Sequence, residues 1–327
     1  MVDLTTTYMG LPLKNPVIVG SSSMMNSLQG FKEAEKAGAG AIVMKSLFEE
    51  QIRAEIGDVD EVGMQAHPEE YNYLISELEM QYGADKYIEL IRQAKKELSI
   101  PIMASINCTT PKWWNTYAKQ IEEAGADGLE LNISLMPKDP YQTSLEIEQV
   151  YYDIVKAARE AVSLPIAVKI GPYFTGMSMV AREICSRGGD ALVLFNRFYQ
   201  FDIDIEKMEI KGANWFSHPN EMNLPLRWIS ILAGKIDCDL SATTGIHDAE
   251  GVIKQLLAGA ASVQVVSTLF LNKFGQIKKI LDGLSAWMEK HGFTNIDDFR
   301  GKLSQKQHPT PEIFERLQYI KALVGIE

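Results

Sequence analysis

At 327 residues, with 46% hydrophobic and 23% charged side chains, the chain has the composition of an ordinary globular protein. A net charge of −11 and scattered Lys and Arg argue against a nucleic-acid partner, which needs clustered basic residues. No apolar run reaches the roughly 18–20 residues that span a bilayer. The opening MVDLTTTYMGLPLKNP also lacks the basic and apolar regions of a secretory signal, so no membrane association and a cytoplasmic location are expected.

Taken in chain order, residues 3–16 predict a β-hairpin plugging the bottom of a barrel, with Gly10 in its turn. Eight short apolar strands follow: PVIVGSS, AIVMKS, IPIMASIN, GLELNIS, IAVKI, ALVLFN, DLSATTG and SVQVVST. They alternate with helical segments near 28–37, 84–98, 112–124, 144–162, 175–187, 224–234, 247–258 and 269–289. Strands alternating with amphipathic helices mean parallel βαβ units, and near-continuous apolar strands mean burial on both faces. Eight such units without a dinucleotide-type GxGxxG predict an α/β chain closed into a (β/α)8 TIM barrel, rather than an open doubly wound sheet. A single domain over 1–327 is expected, its core at about 16–290 and a helical tail at about 291–327. Two long segments, 47–83 and 197–223, leave C-terminal strand ends and predict lids or contacts of a homodimer. The three cysteines, Cys108, Cys185 and Cys238, are widely spaced and predict neither a disulfide framework nor a metal site.

Most of these strands stop at polar or charged residues, and C-terminal strand ends are where such barrels build their sites. Gly20 and Ser21 open a small-residue loop that either admits a flat ring against the backbone or is a simple turn. Lys45, followed by Ser46, and Lys169 lie in or at the end of apolar strands. A buried lysine must meet an anion, a carboxylate or an electron-rich cofactor, unless it snorkels to solvent or joins a structural ion pair. Asn107, Asn132 and Asn196 offer donors and acceptors that suit the edge of a heteroaromatic ring. Thr243, Thr244 and Gly245, with Ser267 and Thr268 one unit later, read as a phosphate cradle or as a pair of helix N-caps. His67 and His247 lack partners at ligand spacing, so no metal is expected; Cys108 reads as a small buried hydrophobe and Trp113-Trp114 as packing.

With NPV at 15–17, KS at 45–46, ELNIS at 130–134, VKIGPYF at 168–174 and the paired TTG and ST loops, the chain resembles the dihydroorotate dehydrogenase family of FMN-dependent barrels. The likeness spans roughly 16–270 and is nearer to the members that work without a membrane than to the quinone-linked ones. It implies FMN as cofactor and a small dihydropyrimidine-like substrate in pyrimidine biosynthesis. It assigns Gly20, Ser21, Lys45, Ser46, Asn107, Asn132 and Lys169 to the flavin, and Thr244, Gly245, Ser267 and Thr268 to its phosphate. It further implies Lys45 and Asn196 as residues at the reacting substrate, and Ser134 is a candidate to stand in for the family's base there. In such enzymes hydride passes between C6 of the dihydropyrimidine and the flavin, while a base handles the C5 proton.

The chain departs from the family pattern in three places. Leu135 stands where a Cys or Ser base is expected, and loss of a positioned acid or base typically costs about 10²–10⁴-fold. Ser134, Cys108 or a Tyr or His from a lid could replace it, or the substrate needs no C5 proton transfer. HPEEYNY stands in place of an Asn-Pro-rich substrate loop, and NEMNLPLRW in place of a Gly-Gly phosphate loop. The expected function is an FMN-dependent oxidoreductase. The rivals are an FMN-binding protein without dihydroorotate turnover and a phosphate-binding barrel lyase forming a Schiff base on Lys45 or Lys169.

Overall fold

The computed structural model of the protein describes residues 2–49, 84–110, 115–197, 200–315 and 320. Most of the first long segment, with His67 and HPEEYNY, lies outside the described residues, as do Trp113-Trp114 and the end of the tail.

The chain opens on an antiparallel hairpin, β1 (Thr6–Tyr8) and β2 (Leu11–Leu13). Met9 and Gly10 turn it with φ of 53° and 74°, the positive pair that two-residue hairpin turns require. The chain continues through β3 (Val17–Val19), α1 (Leu28–Lys36), β4 (Ala41–Val43) and β5 (Leu47–Phe48). Then come α2 (Ala84–Glu97), β6 (Ile102–Cys108), α3 (Asn115–Glu123), β7 (Gly128–Ile133) and α4 (Ser144–Ala161). After β8 (Ile166–Ile170), α5 (Met177–Ser186) and β9 (Ala191–Leu194), a second hairpin pairs β10 (Phe201–Asp204) with β11 (Glu209–Gly212). The last elements are α6 (Asn223–Leu232), β12 (Asp239–Thr243), α7 (Ala249–Ala258), β13 (Ser262–Val265), α8 (Ser267–Asn272) and α9 (Gly275–His291).

Eight strands pair in parallel in the order β4-β3-β13-β12-β9-β8-β7-β6, and β6 returns to β4, so the sheet closes into a (β/α)8 barrel. Strand alternation divides the apolar residues into two cores. Val17, Val19, Ile42, Leu129, Leu131, Val168 and Leu192 face the helices. Ile18, Ala41, Val43, Met103, Ala167, Ala191 and Val193 fill the inside together with Tyr8, Met9 and Leu13, so the N-terminal hairpin does plug the barrel. Each fully buried Ile, Leu or Val contributes roughly 1.5–3 kcal/mol. Small residues make room for the plug: a Cβ on Gly128 would lie 3.3 Å from Met9 Cε. Several helices start on side-chain caps, Ser27 for α1, the Thr143–Glu146 capping box for α4 and Asp248 for α7, each worth about 1 kcal/mol.

Three sequence expectations change. The helix expected over 269–289 is two helices, α8 and α9, broken where Lys273 takes a φ of 64°. The segment 197–223 is not simply a loop, since β10 and β11 form a solvent-facing ribbon within it. Cys185 and Cys238, read as unpaired, are joined by a disulfide with a Cα–Cα distance of 5.7 Å. They stand 53 residues apart in sequence but meet because β9 and β12, which they precede, are neighbours in the barrel.

Candidate active site

Register builds the site. Asn107 of β6 pairs with Asn132 of β7, and Asn132 pairs with Lys169 of β8, so three predicted polar residues form one transverse row at the barrel mouth. The Asn196 amide, just past β9, donates to Asn132 Oδ1 at 2.8 Å and joins that row. One layer below, Ser105 pairs with Glu130, two residues before Asn132 and on the same face of β7. From Ser105 a chain of hydroxyls runs to Ser46 (2.8 Å) and on to Ser21 (3.1 Å).

Lys169 is 8% exposed and Glu130 1%. The ammonium lies 3.8 Å from Glu130 Oε1, and donates to Gln264 Oε1 at 3.4 Å. Gln264 Nε2 donates in turn to Glu130 Oε2 at 2.5 Å. Of the two readings of this strand lysine, the structural ion pair is present; the same side chain also lines the mouth cavity. The buried charge reaches its neighbours: burial, and then the Glu130 charge, push the Tyr8 hydroxyl well above its ordinary pKa. Burial pushes Tyr87 up as well, with Glu130 adding to it against the Ser105 backbone hydrogen bond.

The second half of the site is the cradle after β12 and β13. Thr244 and Gly245 both have positive φ, 77° and 76°, a strained conformation for a β-branched residue. The Thr244 hydroxyl donates to the Phe195 carbonyl at 3.1 Å, tying the cradle to the strand end that presents Asn196. A Cβ on Gly245 would fall 2.4 Å from the backbone nitrogen of Met222, so the chain before α6 presses on this turn. Ser217 completes it: its hydroxyl accepts from the Gly245 amide at 3.2 Å and lies 3.3 Å from His247 Nε2, while its own amide donates to Ser267 Oγ at 2.9 Å. The Thr268 hydroxyl is turned inward and donates to the His247 carbonyl.

A cavity of about 230 Å³ joins the two halves; Ser21, Lys169, Asn196, Arg197, Ser217, Thr244, Gly245, Gln264 and Ser267 line it. A second, of about 400 Å³, shares Phe195, Asn196, Arg197 and Thr244 with it. Between them Arg197 Nε donates to Glu221 Oε2 at 2.7 Å. Burial alone would raise the Glu221 pKa, but hydrogen bonds from the Arg197 side chain and the His218 amide hold it below the ordinary value. Gly20 is required where it stands, since a Cβ there would lie 2.9 Å from Val266 Cγ2 and 3.2 Å from Gln264 Oε1.

Ser21, Lys169, Asn196, Thr244, Gly245 and Ser267 therefore share one cavity, with Asn132, Ser46 and Gly20 bonded to or packed against its walls and Asn107 beside Asn132. Lys45 is half-buried at the end of β4, its amide bound to the Met25 carbonyl, and is not among the residues lining that cavity. Leu135 lines a different cavity, with Tyr151, Phe174 and Glu148, and its amide donates to the Tyr151 hydroxyl at 3.4 Å. Ser134 is half-buried just past the end of β7, and it is not among the residues lining the mouth cavity. Sequence reasoning missed Glu130, Gln264 and Ser217. The first two had a signal, a charged and an amide residue inside apolar strands; Ser217 sits in an irregular segment with none.

A family model described as dihydroorotate dehydrogenase matches residues 3–288. The chain belongs to the dihydroorotate dehydrogenase family. Among similar proteins is the catalytic subunit of dihydroorotate dehydrogenase B (NAD(+)) of Methanocaldococcus jannaschii, 26% identical, with 89% of this chain and 95% of that one aligned. Proteins of the same description from Alkaliphilus metalliredigens (24% identical, 92% and 99% covered) and Pyrococcus abyssi (25%, 91% and 98%) are similar over the same extent. Membership makes the chain a dihydroorotate dehydrogenase-like oxidoreductase. The Schiff-base lyase and the binding protein without turnover are not favoured. Among the described residues, no group of His, Cys, Asp and Glu could hold a metal ion, and no helix is long and apolar enough to cross a membrane.

Proposed function

We propose that this protein is an FMN-dependent dehydrogenase that oxidises dihydroorotate, or a close dihydropyrimidine relative, in pyrimidine biosynthesis in the cytoplasm. One observation carries the reading: a buried lysine, an Asn132–Asn196 amide pair and a Ser-Thr-Gly cradle border one mouth of the barrel. Those residues fit a flavin mononucleotide. The Ser217 and Ser267 hydroxyl oxygens accept from the Gly245 and Ser217 amides, which leaves their own protons for an anion; the cation lies at the floor, and Gly20 keeps a wall free of side chain.

In that reading Ser217, Thr244, Gly245 and Ser267 hold the phosphate, while Thr268 braces the cradle from behind. Gly20, Ser21, Ser46, Asn107, Asn132 and Lys169 border the ring, and Lys45 stands near ring and substrate. Bound FMN supplies the hydride acceptor. Asn196, oriented by Asn132, reads the amide edge of the pyrimidine. Ser134 takes the C5 proton and passes its own hydroxyl proton to water, because Leu135 is committed to the Tyr151 cavity. Anaerobic mixing of the FMN-loaded protein with dihydroorotate tests this. Loss of the yellow colour with formation of orotate is expected, and a flavin that stays oxidised would refute it.

The β10–β11 ribbon supports a homodimer. Its register puts Phe201, Ile203 and Ile210 on one face, 61%, 56% and 74% exposed. A lone two-stranded ribbon is marginal in water, and an apolar face of this kind marks a contact surface. A second copy of this chain covers it in our reading, and sedimentation of Ile203→Asp as a monomer checks that. The relatives are named as catalytic subunits of an NAD(+)-linked enzyme, which favours electron transfer to NAD+ through a further subunit here too.

A further inference from the structure

The floor of the mouth holds two opposite charges in unequal surroundings. Glu130 Oε2 accepts from Gln264, whereas Oε1 is buried without a hydrogen bond, its nearest cation being the Lys169 ammonium at 3.8 Å. That separation is too long for a hydrogen bond, so the pair is held by charge and by Gln264, which touches both partners. A buried carboxylate and a buried ammonium are each costly alone. The loose contact leaves ammonium protons free to point into the cavity that Lys169 lines.

We propose that Glu130 is a positioning residue: with Gln264 it holds Lys169 aimed at the pyrimidine edge of the bound cofactor. The proposal rests on the FMN reading of the same mouth. Other titratable groups surround the pair. From below, Tyr8 of the plug and Tyr87 of α2 are both held neutral by burial and by Glu130 itself. Across the cavity Arg197 is paired with Glu221, and His247 meets Ser217 at the cradle. Lys45 stands at the end of β4.

Two readouts separate this proposal from the FMN reading. In protein without added flavin, Glu130→Gln and Lys169→Met should each lower Tm, and the double variant should regain at least half of the summed loss, because neither charge is then left alone. Additive losses would overturn the coupling. In the second readout, FMN affinity is measured by fluorescence quenching. Glu130→Gln should raise the dissociation constant at least tenfold, whereas in a Lys169→Met background the same substitution should change it less than twofold. An unchanged affinity with Lys169 present, or an equal effect without it, would overturn the proposal while leaving FMN binding intact. A wild type that takes up no FMN would overturn the cofactor reading and the cofactor-aiming role together, and the Tm cycle would then decide the charge pairing alone.

Discussion

Asn196 donates its side-chain amide to Asn132 Oδ1 at 2.8 Å, joining the end of β9 to the end of β7 across the barrel mouth. The bond fixes which face each amide shows to the cavity, leaving Asn132 Nδ2 and Asn196 Oδ1 for other partners. Asn132→Ala and Asn196→Ala should each lower kcat/KM for dihydroorotate by about 10–100-fold, the loss of one or two hydrogen bonds in the transition state. The double variant should fall short of the product of the two losses, since either substitution already frees the other amide. Steady-state kinetics of the three variants checks this.

Thr244 occupies left-handed backbone that suits glycine, at a φ of 77°, and offsets that cost with a hydroxyl bond to the Phe195 carbonyl. Thr244→Gly relieves the strain and loses the bond, while Thr244→Ala loses the bond and keeps the strain. The alanine variant should therefore be the less stable of the two by roughly 1 kcal/mol. Equal denaturation midpoints would show that the turn is not strained in solution.

Glu221 titrates below the ordinary carboxylate value of 4.5: burial raises it, and the hydrogen bonds from Arg197 and the His218 amide outweigh burial. A folded pKa below the unfolded one means stability that is complete above about 4.5 and is lost as pH falls through the lowered folded value. Glu221→Gln should accordingly lower Tm at neutral pH and flatten its fall on acidification below that value. A variant whose Tm tracks the wild type down the acid limb would assign that limb to other carboxylates.

The Cys185–Cys238 bond closes a loop of 53 residues between neighbouring barrel units. A crosslink of that span stabilises by about 4 kcal/mol through the unfolded chain. Reductant or Cys185→Ser should lower the unfolding free energy by a similar amount, read from denaturant titration. An oxidised wild type that denatures like the serine variant would show that the bond contributes nothing.

Much of this architecture was legible in residue order because its signals are local. Eight short apolar strands, four of them after helices that end at glycine, mark the barrel, and the polar residues at their ends mark the mouth. What escaped depends on placement across the barrel. Glu130 lies inside a strand read as apolar; it meets Lys169 because β8 pairs beside β7, and only closure of the barrel brings it to Gln264 on β13. Ser217 reaches the cradle because the chain before α6 folds back over Gly245, which no period in the sequence encodes. The pairing of Cys185 with Cys238 likewise needs β9 beside β12. Lys45 and Lys169 looked equivalent as strand lysines, yet only Lys169 is among the residues lining the mouth cavity.

Whether groups from separate strands make one mononucleotide site is decided by titrating FMN fluorescence with the purified protein. Saturation is expected at one FMN per chain, with Ser267→Glu, which puts a carboxylate in the phosphate cradle, weakening affinity at least tenfold. FMN fluorescence that the wild-type protein leaves unchanged at every concentration would contradict it.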